Sequence, residues 1–330
     1  MMSAHHPRLS LELRSVHKRF VSKKPSLFSR SSKYINAVNN VTLSIPSGKT
    51  LGLVGESGSG KSTLARLILK LEDVTSGDIL LSGKSILEAT GPELRNYRQQ
   101  VQMVFQDPFG SLNPRMSVGE LISEAWIVHP EKRPENTGSR LAQLMEQVGL
   151  RPEWSSRYPG QFSGGQRQRI GIARALAVGP DLLVCDEAVS ALGVSVQAQI
   201  LKLLKDIQRE TGITYIFISH DLSVVRYISD HVAVMYLGSV VESGPVQTVY
   251  DNPMHPYTQA LLAAVPSFQD GNGLDGKLRL QGEPPDPADP PSGCPFRNRC
   301  WRAQTRCARE KPLLVPQGED RLTACHFPGR

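Results

Sequence analysis

The chain has 330 residues, 39% of them hydrophobic and 21% charged, an ordinary globular balance sufficient for one large domain or two smaller ones. No apolar run approaches the ~18–20 residues that cross a bilayer, and residues 1–7 lack a basic stretch leading into an apolar core; the expectation is a protein that stays in the cytosol and is held at a membrane only by integral partners. The net charge of +7, drawn in part from residues 18–33 and 297–309, suits acidic partners, but no aromatic-interleaved basic repeat of the single-strand-binding kind occurs, so a solvated basic surface and no nucleic-acid partner are expected.

In chain order, residues 9–20 alternate apolar and polar positions as a first strand does, and the basic stretch 21–33 shows no periodicity and reads as an inserted loop. Strands are predicted at 41–45, 51–54, 79–81 and 101–105, with turns at 46–49 and 82–83 and a helix over 62–70. From 107 to 179 the pattern turns helical, with apolar residues at three- and four-residue spacing in 118–126 and 140–148 and a further helix over 167–177. Strands return at 182–185, 214–218 and 231–236, with a helix over 196–209 between the first two. Strands alternating with helices imply an α/β fold, its sheet largely parallel and covered on both faces, with the helical block 107–179 inserted. Residues 283–293 hold five prolines and read as an extended linker.

The chemistry is concentrated in Gly55, Glu56, Ser57, Gly58, Ser59, Gly60, Lys61 and Ser62. This is G-x-x-x-x-G-K-[ST] between an apolar strand and a helix, the loop that wraps the phosphates of a nucleotide. Its glycines let successive backbone N–H groups converge on an anion, and the helix adds its positive end. Lys61 is placed to reach the β- and γ-phosphates, Ser62 to offer a hydroxyl to Mg²⁺, and Thr63 extends the candidate contacts. Residues 182–187 form an apolar strand ending in Asp186 and Glu187. Asp186 is a candidate Mg²⁺ ligand and Glu187 a candidate base for the attacking water. Ser163, Gly164, Gly165 and Gln166 open another helix and supply a second anion site. One catalytic centre has no evident use for two such helix ends.

These segments, with Gln106 after the strand 101–105 and His220 after the strand 214–218, occur in one order. In that order they resemble the nucleotide-binding subunit of an ATP-binding cassette (ABC) transporter, over roughly residues 9–260. The resemblance implies a P-loop NTPase (RecA-like) core with an antiparallel β-subdomain and the helical insertion, making an ABC ATPase domain of residues 1–265. It implies a head-to-tail pair of cassettes, each ATP held between the phosphate loop of one and Ser163, Gly164, Gly165 and Gln166 of the other. His220 is then a γ-phosphate contact, Gln106 a sensor of Mg²⁺ and water, and Phe20, with Tyr34 as runner-up, the ring that stacks on adenine.

Four of the five cysteines, Cys294, Cys300, Cys307 and Cys325, fall in the last 37 residues, whereas Cys185 lies inside the acidic strand as a small hydrophobe. Disulfides are uncommon in the cytosol, so the four suggest a metal, although their spacing is wider than zinc pairs use. The tail 266–330 and residues 255–258 (His-Pro-Tyr-Thr) resemble the peptide and nickel importer branch, and that resemblance implies a [4Fe–4S] cluster on the four thiolates. It further implies two permease subunits, a second and different ATPase chain, an extracytoplasmic peptide-binding protein, and a place on the cytoplasmic face of the cell membrane. Peptides are the expected cargo. The same motor working on nickel or another small solute, and a redox-sensing iron–sulfur ATPase, are the alternatives. A chromosome-maintenance or translation ATPase is disfavoured by a single phosphate loop and no sustained heptads.

One residue departs from the family pattern: where Ser-Ala-Leu-Asp is usual, this chain has Ser190, Ala191, Leu192 and Gly193. The missing carboxylate and a looser backbone at Gly193 are expected to weaken coupling between paired ATP sites without abolishing nucleotide binding. Gly193→Asp is expected to raise the rate and cooperativity of ATP hydrolysis in the assembled complex; a steady-state ATP titration with an unchanged rate and Hill coefficient is the contrary outcome.

Overall fold

The computed structural model describes residues 9–23, 33–107, 110–265, 280, 282–318 and 320–329. The elements run β1 (Leu9–Lys23), β2 (Lys33–Pro46), β3 (Thr50–Val54), α1 (Lys61–Ile68), β4 (Ser76–Leu81), β5 (Lys84–Ser85), α2 (Gly91–Gln100), β6 (Val101–Val104), α3 (Val118–Val128), α4 (Thr137–Gln147), α5 (Gly164–Leu176), β7 (Leu182–Asp186), α6 (Val194–Thr211), β8 (Thr214–Ile218), α7 (Leu222–Ile228), β9 (His231–Tyr236), β10 (Ser239–Pro245), α8 (Val246–Asp251), α9 (Pro256–Ala263), α10 (Thr305–Arg309), β11 (Val315–Pro316) and β12 (Leu322–Thr323). They divide into two compact units, one of residues 1–11, 45–50 and 81–219, the other of 12–44, 51–80 and 220–330.

In the first unit β6, β7 and β8 pair in parallel, with Val104 opposite Cys185 and Asp186 opposite Ile218. Leu182, Leu183, Val184 and Cys185 are fully buried. Such an unbroken apolar run marks a strand covered on both faces. Burial also pushes the Cys185 thiol up to about 12, the behaviour of an inert core residue. The helical block is tied together by backbone-directed side chains. Trp126 Nε1 donates to the Ala177 carbonyl at 3.0 Å, Arg169 Nη1 to Val148 at 2.6 Å and Arg174 Nη1 to Ser111 at 2.9 Å. Ser117 and Glu120 start α3 with reciprocal capping hydrogen bonds. The unpredicted α2 is polar on nearly every side, with only Tyr97 and Gln99 buried, so it carries no apolar stripe to read.

In the second unit β3 runs parallel to β9, β10 folds back antiparallel on β9, and β12 extends β10. Beside one another lie β2, β1 and β4. Both β1 and β2 outrun the predicted strands: the basic stretch expected as a loop begins as strand through Lys23 and ends as strand from Lys33, and residues 24–32 lie outside the described ones.

Residues 282–329 belong to this second unit, and two buried interactions other than a metal order them. Phe296 is buried among Tyr236, Tyr257 and His255, with ring centroids 5.3, 5.4 and 5.8 Å away. Arg321 reaches Glu242 on β10 at 2.6 Å, both side chains being almost fully buried. Glu242 also accepts from the Met254 and His255 backbone N–H groups, each at 2.9 Å. A buried charge with this many partners is satisfied, and removing one partner is costly.

His255 is fully buried, accepts from Tyr257 N through Nδ1 at 3.0 Å, and its pKa is lowered by burial to about 3. The unfolded chain therefore takes up a proton near pH 6.5 that the folded chain refuses until about pH 3. Stability falls as pH drops through that window, by about 1.4 kcal/mol between pH 7.5 and 5.5 from this group. Denaturant titrations at the two pH values are expected to show that loss, and His255→Asn to remove it.

Candidate nucleotide site

Gly55 through Ser62 leaves β3 and enters α1, the strand–loop–helix arrangement the motif requires. Gly60 stands at the helix N-cap in the left-handed region, φ 105°, where a Cβ would lie 2.3 Å from the Ala37 carbonyl oxygen; only glycine fits. Lys61 is buried and curls back into the loop, its Nζ donating to Gly55 O at 2.7 Å, Glu56 O at 2.9 Å and Ser59 Oγ at 3.2 Å. The ammonium is thereby held by the loop's own oxygens. Ser62 is exposed and Thr63 half-buried on the first turn of α1.

Two loop contacts were not legible in the sequence. Glu56 forms a bidentate ion pair with Arg299, Nη1 to Oε2 at 2.6 Å and Nη2 to Oε1 at 2.9 Å. Its backbone N–H donates to the Tyr257 hydroxyl at 2.8 Å. Residues 255–258 thus serve as a strut: His255 caps α9 and Tyr257 touches the phosphate loop. Partners more than 200 residues distant leave no local signal.

On the first unit, Gln106 Nε2 donates to Glu187 Oε2 at 2.6 Å, so the predicted sensor and base meet directly. Glu187 follows β7 with φ 48°, an uncommon backbone for a residue with a side chain. Its N–H is held by Ile218 O at 2.9 Å, and its carbonyl accepts from Ser190 N at 3.0 Å and Ser190 Oγ at 2.9 Å. Strain kept in place by surrounding hydrogen bonds is typical of functional positions. Asp186 closes β7 beside it, half-buried. A hydroxyl, an amide oxygen and a carboxylate from Ser62, Gln106 and Asp186 are hard oxygen donors of the class Mg²⁺ accepts.

Ser163, Gly164, Gly165 and Gln166 begin α5 with a capping box: Gln166 N donates to Ser163 Oγ at 3.4 Å and Ser163 N to Gln166 Oε1 at 3.0 Å. The helix starts three residues before the predicted 167–177 because this box caps it. Gly165 has a packing reason as well, since a Cβ there would lie 2.4 Å from Val196 Cγ1 on α6. Gly193 stands at the N-cap of α6 with φ −65°, a backbone open to any residue, and a Cβ there meets nothing within 4 Å. What Gly193 lacks here is a side chain; its backbone conformation is an ordinary one.

In the second unit His220 is exposed just after β8, next to Asp221, which caps α7. Phe20 is 36% exposed with the Lys18 ammonium 4.8 Å from its ring centre, and Tyr34 is 45% exposed with the Arg19 guanidinium 5.4 Å from its ring centre. Either ring has a face to offer.

The cysteine expectation finds no support among the described residues. Cys294, Cys300, Cys307 and Cys325 line one cavity with Phe296, but its free space is about 10 Å³, at the lower limit for one water. Burial raises the Cys294 thiol to about 11 and moves Cys300 and Cys325 upward too. Among the described residues no group of three or more His, Cys, Asp or Glu side chains is placed to hold a metal ion. The iron–sulfur expectation therefore gains no support here.

Residues 38–190 match the family described as ABC transporter. Over 328 residues, 99% of each chain, the protein is 46% identical to the oligopeptide transport ATP-binding protein AppF of Bacillus subtilis (strain 168). The chain belongs to the ABC transporter ATP-binding subunits. Residues 241–307 further match the oligopeptide/dipeptide transporter C-terminal region. The oligopeptide transport ATP-binding protein OppF of Salmonella typhimurium (strain LT2) is 50% identical over 289 residues, 87% of this chain and 86% of that one. Among solved structures, the dimeric post-hydrolysis state of the ATP-binding cassette MJ0796 bound to ADP and Pi aligns with TM-score 0.61 at 27% identity, covering 72% of this chain and 98% of that one. The fold is therefore that of an ABC ATPase with mixed α/β sheets, and the activity is ATP hydrolysis coupled to transport. Among the described residues no helix is long and apolar enough to cross a membrane.

Gly165→Ala is expected to force α6 away from α5 and to cost about 1–3 kcal/mol, the usual range for overpacking a close contact. Denaturant melts check this, with Val196→Ala in the same chain expected to restore most of the loss.

Proposed function

We propose that this ATPase drives uptake of di- and oligopeptides across the cell membrane, working at its cytoplasmic face with two permease subunits. The observation that carries the reading is the oligopeptide/dipeptide transporter C-terminal region joined to the ABC cassette in one chain. Relatives named for oligopeptide and dipeptide transport, similar across most of their length, support it. An extracytoplasmic binding protein delivers the cargo, and a second, different ATPase chain completes the motor. Nothing specific in the structure favours nickel or redox sensing over this reading.

In the proposed cycle, ATP sits on Gly55, Glu56, Ser57, Gly58, Ser59, Gly60, Lys61, Ser62 and Thr63, with Phe20 under the adenine. The partner cassette closes on it from the opposite side with the residues equivalent to Ser163, Gly164, Gly165 and Gln166. Lys61 and the loop N–H groups neutralise charge on the phosphates. Mg²⁺, held by Ser62, Gln106 and Asp186, supplies further charge neutralisation when bound. Glu187 takes a proton from the attacking water, oriented by its hydrogen bond from Gln106. His220 contacts the γ-phosphate. Ile127 and Val128, exposed at the end of α3, offer the helical block an apolar patch suited to a permease loop. Buried in the second unit, His255 and Tyr257 do not select cargo.

Glu187→Gln in the assembled transporter is expected to bind ATP, trap a closed cassette pair, and lower hydrolysis by at least a hundredfold, the lower range for loss of a general base. Uptake of a labelled dipeptide by cells carrying the wild-type chain, and its loss with Glu187→Gln, tests the cargo. Wild-type cells that accumulate no peptide, or a trapped chain that never pairs, are the contrary outcomes.

A further inference from the structure

The C-terminal region reaches the phosphate loop directly. Arg299 lies on a 3₁₀ turn (Arg297–Arg299) between Cys294 and Cys300, 243 residues beyond its partner Glu56. Its side chain is 5% exposed and that of Glu56 is 25% exposed. The pairing is fork to fork, the geometry in which an arginine fixes a carboxylate in both position and plane. Tyr236 stands against the guanidinium, with its hydroxyl 3.5 Å from Nη1. Tyr236 in turn packs on Tyr257 at 4.7 Å between ring centroids, and Tyr257 accepts the backbone N–H of Glu56. Phe296 seats this tail segment on both rings. Glu56 is thus held at its side chain by one part of the C-terminal region and at its backbone by another.

A carboxylate in a loop built to wrap phosphates is a problem in charge. Unpaired, Glu56 would repel the triphosphate through whatever low dielectric separates them. It would also be free to draw the loop's N–H groups, or Lys61, toward itself. Paired with Arg299 it is neutralised and fixed, and the Lys61 ammonium keeps its hydrogen bonds to the Gly55 and Glu56 carbonyls.

We propose that Arg299 is a positioning residue for ATP binding: the oligopeptide-type C-terminal region completes the phosphate loop by clamping Glu56. The tail is then part of the nucleotide site, and a change in its packing alters ATP affinity before it alters chemistry. This rests on the nucleotide-site reading of residues 55–62.

The test uses the full chain, titrated with Mg·ATP for affinity, and the assembled transporter for kcat. Arg299→Met is expected to weaken ATP binding at least tenfold, which is about 1.4 kcal/mol at 25 °C, while kcat at saturating ATP stays within about threefold. Adding Glu56→Gln to Arg299→Met removes the unpaired charge and is expected to recover most of the affinity. Arg299→Lys, which keeps the charge but not the fork, is expected to fall between. Unchanged affinity in Arg299→Met, or a loss that Glu56→Gln does not recover, overturns the proposal. Should Arg299→Met fail to fold, Tyr257→Phe removes only the hydroxyl facing Glu56 N; about a threefold loss of affinity is expected, and an unchanged affinity overturns the proposal. A wild-type chain that binds no ATP instead overturns the nucleotide-site reading itself.

Discussion

The curl of the backbone from Gly55 to Ser62 is the constraint on which the rest of this protein depends. A loop that points successive N–H groups at one place must adopt conformations closed to side chains, and it must pass close to its neighbours. At Gly60 both demands coincide: φ is 105° and the Ala37 carbonyl occupies the space a Cβ would need. β2, β3 and β9 exist in this unit partly to supply those walls, since Gly55 also approaches the Met235 carbonyl within 2.2 Å of where its Cβ would be. The loop is not a flexible hinge that happens to be glycine-rich. It is a fitted piece, and the ammonium of Lys61 is already folded into it.

The C-terminal region is fitted to the same loop by charge. Its apolar content is small, and Phe296 is its principal buried ring. Two arginines do what a larger core would otherwise do. Arg321 meets the fully buried Glu242, and Arg299 meets Glu56. Buried pairs of this kind contribute little net stability compared with apolar packing, but they specify one arrangement, because a misplaced tail would leave buried acids without partners. The four thiols sit in this frame around one small cavity.

Glu187 follows a different physical logic. Glu187 has a strained backbone, and the strain is held by hydrogen bonds from Ser190 and to Ile218 rather than relieved. Its carboxylate already accepts from Gln106, which lies just beyond β6, the strand paired directly with β7. Parallel register places these side chains at the same strand ends: Val104 faces Cys185, so the residues just beyond each strand emerge together. Glu187 and Gln106 are therefore neighbours by sheet geometry, although 81 residues apart in the chain.

What the sequence by itself determined was everything written in local pattern. The phosphate loop, the acidic strand 182–187, the signature at 163–166 and the fully buried strands carry their own periodicity or fixed spacing, and each formed as read. The polar α2, the extensions of β1 and β2, and the docking of the tail were not readable, because they lack an apolar period. Only tertiary structure decided that residues 255–258 brace the phosphate loop. It also decided that an arginine beside Cys300 neutralises Glu56, and that four cysteines dispersed along the tail line one small cavity. In each case the deciding quantity was a distance or a burial between residues far apart in the chain, and such quantities do not exist until the chain has folded.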